Sequence, residues 1–250
     1  QIMAGCAEQV KRVTLELGGK SANIVFADAD LERAAATAPY GVFDNAGQDC
    51  CARSRILVQR SVYDRFMELL EPAVKGVKVG EPGDEATEMG PLISAAHRER
   101  VESYVELGRK EGARVVVGGE RPGPGLDKGF YVAPALLADC APEMRVVREE
   151  IFGPVVVVVP FDGEGESAED TAVALANDSD YGLLDYVWSA DVARAFRVAG
   201  RLRAGSVGVN TIGRNMEAPF GGFKQSGVGR DCGSYALHAY SETQAVVWAG

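Results

Sequence analysis

Short runs of apolar and β-branched residues alternate along this chain with stretches in which apolar positions recur every three or four residues. The first pattern predicts strands and the second predicts amphipathic helices. The predicted strands cover residues 13–15, 23–26, 55–59, 114–117, 155–159 and 206–210. The predicted helices cover residues 31–38, with Asp30 as the N-cap, and 62–74, 97–111, 170–176 and 191–203.

One strand is informative about the whole sheet. Residues 155–159 are five consecutive valines, which leave no polar face for solvent. Such a run is typical of a strand buried on both faces, as in a parallel sheet covered by helices. Together with the alternation of strands and helices, it predicts an α/β fold with a mainly parallel sheet and flanking helices. The glycine-rich stretches 120–129 and 221–233 are predicted to be loops.

Size and charge narrow the class of protein. A chain of 250 residues makes one large domain or two small ones. The net charge is −10, so a phosphate backbone would be repelled, and we expect no nucleic-acid partner. The longest apolar stretch, 151–161, is interrupted by glycine and proline and is far shorter than a bilayer span. We therefore expect a soluble protein with no membrane partner.

Cysteine and histidine usage bear on redox state and metals. The chain has five cysteines, an odd number, with no CxxC spacing. Free thiols in a chain of this size indicate a reducing compartment, and we expect a cytoplasmic protein. The two histidines, His97 and His238, have no cysteine three or four residues away, so no metal site is expected.

Residues 45–55 form the first candidate for chemistry. Cys50 and Cys51 lie here between a predicted helix and a predicted strand. A free cysteine is only a few per cent thiolate at neutral pH, so a nucleophilic one needs help from its surroundings, such as backbone N–H groups after Gly47. The alternative is that both cysteines are small buried residues, which is the commoner role of such a pair.

Glu16 is the second candidate. It comes directly after a predicted strand and before two glycines, so we expect it to lie in a pocket at the end of the sheet. Burial there would raise its pKa and suit it to act as a base toward water, unless it is simply a solvated charge. The following Gly-Gly-Lys-Ser is similar to a phosphate-binding loop, but that motif needs glycine where this chain has Thr14, and we reject it.

Taken together, four segments identify a family. Residues 15–21 read Leu-Glu-Leu-Gly-Gly-Lys-Ser, and residues 45–55 contain Asn-x-Gly-Gln-x-Cys. Residues 149–154 read Glu-Glu-Ile-Phe-Gly-Pro, and residues 219–230 contain Pro-Phe-Gly-Gly-x-Lys-x-Ser-Gly. The chain resembles the NAD(P)-dependent aldehyde dehydrogenase superfamily, specifically its C-terminal, catalytic half. The four motifs occur in the family's order and span the chain.

The resemblance implies a mechanism and a set of residues. Cys50 would be the nucleophile and Glu16 the general base. Glu150 would bind the hydroxyls of the nicotinamide ribose, Phe152 would pack near the nicotinamide, and Leu17 would offer its carbonyl to the nicotinamide amide. The protein would oxidise a small-molecule aldehyde to a carboxylic acid with NAD or NADP as cofactor, through a thiohemiacetal and a thioester on Cys50. A charged Asp49 beside the nucleophile is unusual for the family.

The resemblance also implies a domain organisation. Residues 1–15 would be the end of a dinucleotide-binding domain, 16–222 the catalytic domain, and 223–250 a C-terminal loop and an oligomerisation strand of a dimer or tetramer. The period of residues 240–248 fits such a strand, in which we expect Glu242 to pair with Arg12 and Arg230. Family members are about twice this length, so we expect the isolated chain to bind NAD poorly and to be nearly inactive.

Two other functions are compatible with the same residues. A thiol esterase or acyltransferase could use Cys50 without any cofactor. A non-enzymatic oligomerisation module would need only the C-terminal strand. Reduction of NAD, monitored by absorbance, separates the dehydrogenase from both alternatives. Ester turnover without NAD separates the thiol esterase from the oligomerisation module.

Overall fold

The computed structural model describes all 250 residues and contains nine β-strands and seven α-helices. The strands are β1 (Leu15–Glu16), β2 (Ala22–Val25), β3 (Arg55–Gln59), β4 (Arg114–Val117), β5 (Ala135–Ala138), β6 (Val155–Phe161), β7 (Leu184–Trp188), β8 (Ser206–Val209) and β9 (Gly227–Val228). The helices are α1 (Ile2–Ala7), α2 (Leu31–Phe43), α3 (Tyr63–Lys75), α4 (Ala95–Glu111), α5 (Arg145–Arg148), α6 (Gly165–Asn177) and α7 (Val192–Ala199). None of these helices is long and apolar enough to cross a membrane.

Seven of the strands form one sheet in the order β4-β5-β6-β3-β2-β7-β8. Every neighbouring pair is parallel except β4 and β5, which are antiparallel. The prediction of a mainly parallel α/β fold is therefore confirmed. The five valines of β6 are completely or almost completely buried near the middle of this sheet, as the absence of a polar face requires.

Several local predictions match the structure. Strands β3 and β4 have the predicted bounds. The side chain of Asp30 caps α2 by accepting a hydrogen bond from the backbone N–H of Arg33 at 3.0 Å.

Two helix boundaries differ from the prediction. Helix α6 begins at Gly165, before the predicted start, because Glu164 and Ser167 cap each other there. Helix α7 ends at Ala199 rather than at residue 203.

Strands β5 and β7 were not predicted. The four residues of β5, Ala-Leu-Leu-Ala, contain no β-branched or aromatic side chain, although all four are fully buried. Strand β7 includes Asp185, whose charge interrupts the apolar run that would mark a buried strand. In both cases the neighbouring strands, and not local propensity, determine the conformation.

Strand β1 lies outside the main sheet. It has only two residues and pairs antiparallel with β9, so that Leu15 lies opposite Val228 and Glu16 opposite Gly227. The strand predicted at 13–15 is found at Leu15–Glu16, overlaps the prediction only at Leu15, and is not part of the main sheet. Because nothing but β9 pairs with it, Glu16 is exposed, and the expectation of a buried pocket at the end of the sheet is wrong.

The strand predicted at 240–248 does not form within this chain. Residues 241–250 have no regular secondary structure, because a strand needs a neighbouring strand and no strand of this chain pairs with them. Glu242 does pair with Arg12 at 2.5 Å, but both side chains are mostly exposed, so the pair contributes little. Arg230 does not join it and instead donates to the carbonyls of Gly222 and Gly229.

Strands β2 and β7 are joined by a buried carboxylate. Asp185 accepts a hydrogen bond from the backbone N–H of Ala22 at 2.7 Å. Burial raises the pKa of Asp185 to about 6, an effect that the charge of Arg55 partly offsets. Arg55 itself is buried and donates to the carbonyls of Leu175 and Ala176, both at 2.9 Å. The carboxylate therefore orders the start of β2, but its ionised form is disfavoured.

We predict that Asp185→Asn stabilises the protein at neutral pH and much less at pH 4. The folded state holds a proton on Asp185 more tightly than the unfolded state does, so this residue's contribution to stability is lost as pH rises from about 4 to about 6. An asparagine oxygen keeps the bond to Ala22 without the charge. The free energy of unfolding at pH 7.5, measured with urea, should rise by about 1–3 kcal/mol.

The exposed Asp180→Asn is the matched control and should leave the free energy of unfolding nearly unchanged. An equal effect of Asp185→Asn at pH 4 and pH 7.5 would show that the Asp185 carboxyl is not the titrating group.

Candidate active site

Three of the segments singled out from the sequence meet at one edge of the sheet. Residues 16–20 lead into β2, residues 48–54 lead into β3, and residues 149–154 lead into β6. These three strands are adjacent and parallel, so their amino ends lie together. The structure thus brings Glu16, Cys50 and Glu150 to the same edge.

The loop before Cys50 has an unusual backbone. Asn45, Ala46 and Gly47 all have positive φ, at 50°, 56° and 71°. This conformation is costly for residues with a side chain and persists only where the surroundings enforce it. The side chains of Asn45 and Gln48 each donate to the other's backbone carbonyl, and Gln48 also accepts from the N–H of Ile93 at 2.9 Å.

Cys50 and Cys51 differ in exposure. Cys50 is half-buried, whereas Cys51 is 1% exposed and packs with Leu183, Leu184 and Tyr186. The alternative of a buried, structural cysteine therefore describes Cys51 and not Cys50. The two sulfur atoms are 3.8 Å apart, within the range of an S–H···S hydrogen bond.

The surroundings of Cys50 disfavour its thiolate. The hydrogen bond with Cys51 and partial burial raise the pKa of the Cys50 thiol, and the charges of Glu16 and Asp49 add to the effect. The Cys50 thiol also donates to Asp49 Oδ1 at 3.7 Å. The expectation that the local backbone activates the thiol is thus not met within this chain, because negative groups surround the sulfur.

Asp49 is held in place by two nitrogen donors. Its Oδ1 accepts from the N–H of Cys51 at 2.9 Å, and Arg214 donates to its Oδ2. Arg53 fixes the loop that carries Arg214, since it donates to the carbonyl of Ile212 at 2.8 Å and lies 3.8 Å from the centre of the Tyr186 ring. Sequence reasoning missed Arg53 and Arg214. Arg214 is 165 residues from Asp49, and no local pattern indicates their contact.

Glu16 has a raised pKa even though it is exposed. Partial desolvation is the largest cause, and the charges of Asp231, Asp49 and Glu150 act in the same direction. The nearby Cys50 thiol lowers the pKa of Glu16 and so acts against them. The predicted direction of the pKa shift is therefore confirmed, although the pocket that was expected to cause it is absent.

Two glycines allow the three segments to approach each other. A Cβ at Gly18 would lie 2.2 Å from a carboxylate oxygen of Glu150, and a Cβ at Gly19 would lie 2.3 Å from the carbonyl oxygen of Cys50. Real Cβ atoms do not approach other atoms so closely. The N–H of Gly19 donates to Glu150 Oε1 at 2.9 Å, which ties the Glu150 side chain to the Glu16 segment.

Leu17 and Phe152 present apolar surface near these groups. Leu17 is 44% exposed, and its N–H donates to the carbonyl of Ser226 at 3.1 Å. Phe152 is 40% exposed, has a φ of +60°, and lines an open cleft together with Gln48 and Ile93. Both residues are therefore available to a ligand that lies over this edge of the sheet.

Only one group of side chains brings three possible metal ligands together. The ligand atoms of Asp49, Cys50 and Cys51 lie within 4.8 Å of one another. Asp49 already pairs with Arg214, and Cys51 is buried. These contacts favour an ion pair beside a thiol over a cation site.

We predict opposite changes in thiol reactivity when the Asp49–Arg214 pair is altered from either side. Asp49→Asn removes a negative charge near the sulfur and should lower the pKa of Cys50, whereas Arg214→Gln leaves that charge uncompensated and should raise it. The rate of Cys50 alkylation by iodoacetamide, followed by peptide mass spectrometry from pH 6 to 10, should change by about three- to tenfold at pH 8. Shifts in the same direction for both variants would contradict this electrostatic account.

Comparisons with known proteins agree with the motifs. The sequence profile of the aldehyde dehydrogenase family matches residues 1–246. The chain is 46% identical over 248 residues to the betaine aldehyde dehydrogenases of Brucella melitensis and Brucella ovis, covering 98% of this chain and 50% of theirs. The chain thus spans about half the length of the curated relatives it matches.

Solved structures show the same relationship. The chain superposes with a TM-score of 0.90 on betaine aldehyde dehydrogenase from Staphylococcus aureus in complex with NAD+, at 46% identity, covering 96% of this chain and 47% of that one. An aldehyde dehydrogenase mutant from Bacillus cereus gives a TM-score of 0.89 at 48% identity, covering 96% of this chain and 48% of that one. From its motifs, its fold and these matches, the chain belongs to the aldehyde dehydrogenase family.

Proposed function

We propose that this chain supplies the nucleophile and the base of an NAD-dependent aldehyde dehydrogenase that oxidises a small aldehyde to a carboxylic acid. The observation that carries the proposal is the meeting of the Cys50 thiol and the Glu16 carboxylate at the amino ends of adjacent strands. The proposal includes the division into residues 1–15, 16–222 and 223–250, of which the middle part holds both residues.

Cys50 attacks the aldehyde carbon. Because its pKa is raised, the thiol gives up its proton as the S–C bond forms, and that proton passes to bulk water, so the nearby Glu16 carboxylate stays ionised for the later hydrolysis. The carbonyl oxygen becomes an oxyanion. The N–H of Cys50 has no acceptor within the chain and can donate to this oxyanion. The product of this step is a thiohemiacetal on Cys50.

The residues expected to contact the cofactor suit the nicotinamide end of NAD. One oxygen of Glu150 is held by Gly19, which leaves the other for the hydroxyls of a ribose. The exposed side chain of Phe152 offers an apolar surface, and Leu17 lies exposed on the neighbouring segment. NAD+, when bound, accepts the hydride that leaves the thiohemiacetal carbon. The S. aureus relative contains NAD+, which favours NAD over NADP.

Glu16 completes the reaction by hydrolysis. Removal of the hydride leaves a thioester on Cys50, and water must attack it. The raised pKa of Glu16 makes its carboxylate a better base for the proton of that water. The tetrahedral adduct then expels the Cys50 sulfur, which regains a proton as the carboxylic acid leaves.

The relatives suggest a first substrate. They are named betaine aldehyde dehydrogenases, and betaine aldehyde is a small aldehyde with a cationic end. In this chain Arg214 pairs with Asp49 beside Cys50, which leaves Glu16 as the nearby acidic group with no ion-pair partner. Betaine aldehyde and an uncharged aldehyde of similar size are therefore the pair of substrates to compare.

We also propose that the protein is a homo-oligomer. Val246, Val247 and Trp248 are 85%, 93% and 87% exposed at the C-terminus, and Tyr240 is 80% exposed. A run of apolar side chains without a partner in its own chain favours association with another chain. A second copy that pairs with residues 240–248 would supply the strand they lack.

We predict that Cys50, and not Cys51, accounts for thiol labelling near the site. Cys50→Ser should abolish iodoacetamide incorporation into the peptide that spans residues 48–53, whereas Cys51→Ser should spare most of it, because Cys51 is buried. Labelling must be quantified on that peptide, since Cys6 and Cys232 are also partly exposed. Equal losses in both variants would remove the assignment of Cys50 as nucleophile.

We predict that Glu16→Gln separates the two halves of the reaction in the whole protein. If Glu16 acts chiefly in hydrolysis, the variant should give a burst of NADH close to one per Cys50, followed by turnover slowed by about 10²–10⁴-fold. Cys50→Ala should give neither burst nor turnover. Rapid-mixing absorbance at 340 nm measures both phases. Ester hydrolysis without any NADH formation in the wild-type protein would instead support the thiol esterase.

A further inference from the structure

We infer that one face of helix α4 holds the segment Glu149–Gly153 in its binding conformation, and that His97 and Arg100 are positioning residues for it. This inference rests on the proposed function, in which Glu150 and Phe152 of that segment meet the nicotinamide nucleoside. None of the sequence motifs includes α4. Its role follows only from the contacts that it makes in the fold.

Two side chains of α4 donate to backbone carbonyls of the segment. His97 Nε2 lies 2.6 Å from the carbonyl oxygen of Phe152, so that nitrogen carries the proton and donates it. Arg100 Nη2 donates to the carbonyl oxygen of Glu150 at 3.1 Å. The two residues that are proposed to touch the cofactor are thus each held by their own carbonyl.

Two further contacts extend this face of the helix. The Tyr104 hydroxyl donates to Glu149 Oε2 at 2.7 Å. The buried Val101 packs so closely on Gly153 that a Cβ on that glycine would lie 2.4 Å from Val101 Cγ2. The four helix residues have the spacing i, i+3, i+4 and i+7, which places them on one face of an α-helix. That face therefore contacts residues 149, 150, 152 and 153 of the segment.

The register of α4 is fixed at both ends. Ser94 caps its start by accepting from the N–H of His97 at 3.2 Å. Gly112 ends it with a φ of 101° and donates to the carbonyls of Arg109 and Gly108. A well-capped helix of 17 residues is a rigid support for an irregular segment.

The segment needs such a support because its own backbone is strained. Phe152 has a φ of +60°, a conformation unfavourable for an aromatic residue, and its ring is partly exposed instead of anchored in the core. Residues 150–152 have no regular secondary structure. Strain of this kind persists when the surroundings over-determine it, and the hydrogen bond from His97 to the Phe152 carbonyl acts at the strained residue itself.

The test compares His97→Ala with His97→Gln, whose amide can still donate to the Phe152 carbonyl, and with Glu99→Gln, an exposed residue of the same helix. The first readout needs no cofactor. Chymotrypsin cleavage of the Phe152–Gly153 bond, identified by the new N-terminal Gly153, should accelerate by about tenfold or more in His97→Ala, since proteolysis reports local opening. His97→Gln should restore most of the resistance, and Glu99→Gln should match the wild type.

The second readout is the Kd for NAD+ by calorimetry in the whole protein, together with KM and kcat. We expect His97→Ala and Arg100→Met to raise the Kd and KM for NAD+ by roughly tenfold each, with smaller changes in kcat. The reason is that part of the binding free energy would then be used to order residues 149–153. Unchanged cleavage at Phe152–Gly153 in both variants would overturn the inference. Faster cleavage with an unchanged Kd for NAD+ would overturn the role of Glu150 and Phe152 in the proposed function, but not their support by α4.

Discussion

Residues 16–20, 48–54 and 149–154 meet at the amino edge of the sheet, and they approach each other more closely than a Cβ at Gly18 or Gly19 would allow. The space beside Gly18 is filled by the carboxylate of Glu150, and the space beside Gly19 is filled by the carbonyl of Cys50. Any larger residue at either position would push the Glu16 loop away from the other two. The positions of Glu16, Cys50 and Glu150 relative to one another therefore depend on the absence of a Cβ at Gly18 and at Gly19.

The location of this edge has chemical consequences. In open α/β sheets, ligands usually bind at the carboxyl ends of the strands, where helix amino termini supply positive potential. Here Glu16, Cys50 and Glu150 lie at the amino ends of β2, β3 and β6, and acidic residues surround the Cys50 sulfur. The positive charge comes from Arg214, which arrives from a distant loop and neutralises Asp49. As the proposed nucleophile, Cys50 would therefore depend on loss of its proton during attack more than on a pre-formed thiolate.

Local sequence determined part of this architecture. Strands β3 and β6 carry continuous apolar runs, and Asp30 is a strong helix cap, so these elements were predictable from neighbouring residues. The resemblance to a family singled out Cys50, Glu16 and Glu150 as candidates, and the structure brings them to one edge. It could not show that Glu16 would be exposed or that residues 241–250 would lack a strand, since both outcomes depend on which segments lie alongside.

The contacts that escaped prediction are long-range ones. Arg214 and Asp49 are 165 residues apart, and His97 and Phe152 are 55 apart. Neither contact is indicated by a periodic pattern or by the local composition of the sequence. Strand β7 escaped for a related reason, because Asp185 becomes tolerable in a buried strand only when the N–H of Ala22 lies opposite it. Such compensation is a property of the assembled fold and not of either segment.

The same separation in sequence affects how the site comes into being during folding. The hydrogen bond between Gly19 and Glu150 spans 131 residues, and the parallel pairs β2–β3 and β3–β6 must both form before it can close. Non-local strand pairing of this kind forms slowly, because the chain loses loop-closure entropy before the paired strands gain any contacts. Until these strands have paired, Cys50 is a solvent-accessible thiol on a partly folded chain. Once these strands have paired, Asp49, Cys51 and Glu16 surround the sulfur. The reactivity of the Cys50 thiol therefore reports whether the central strands of the sheet have formed.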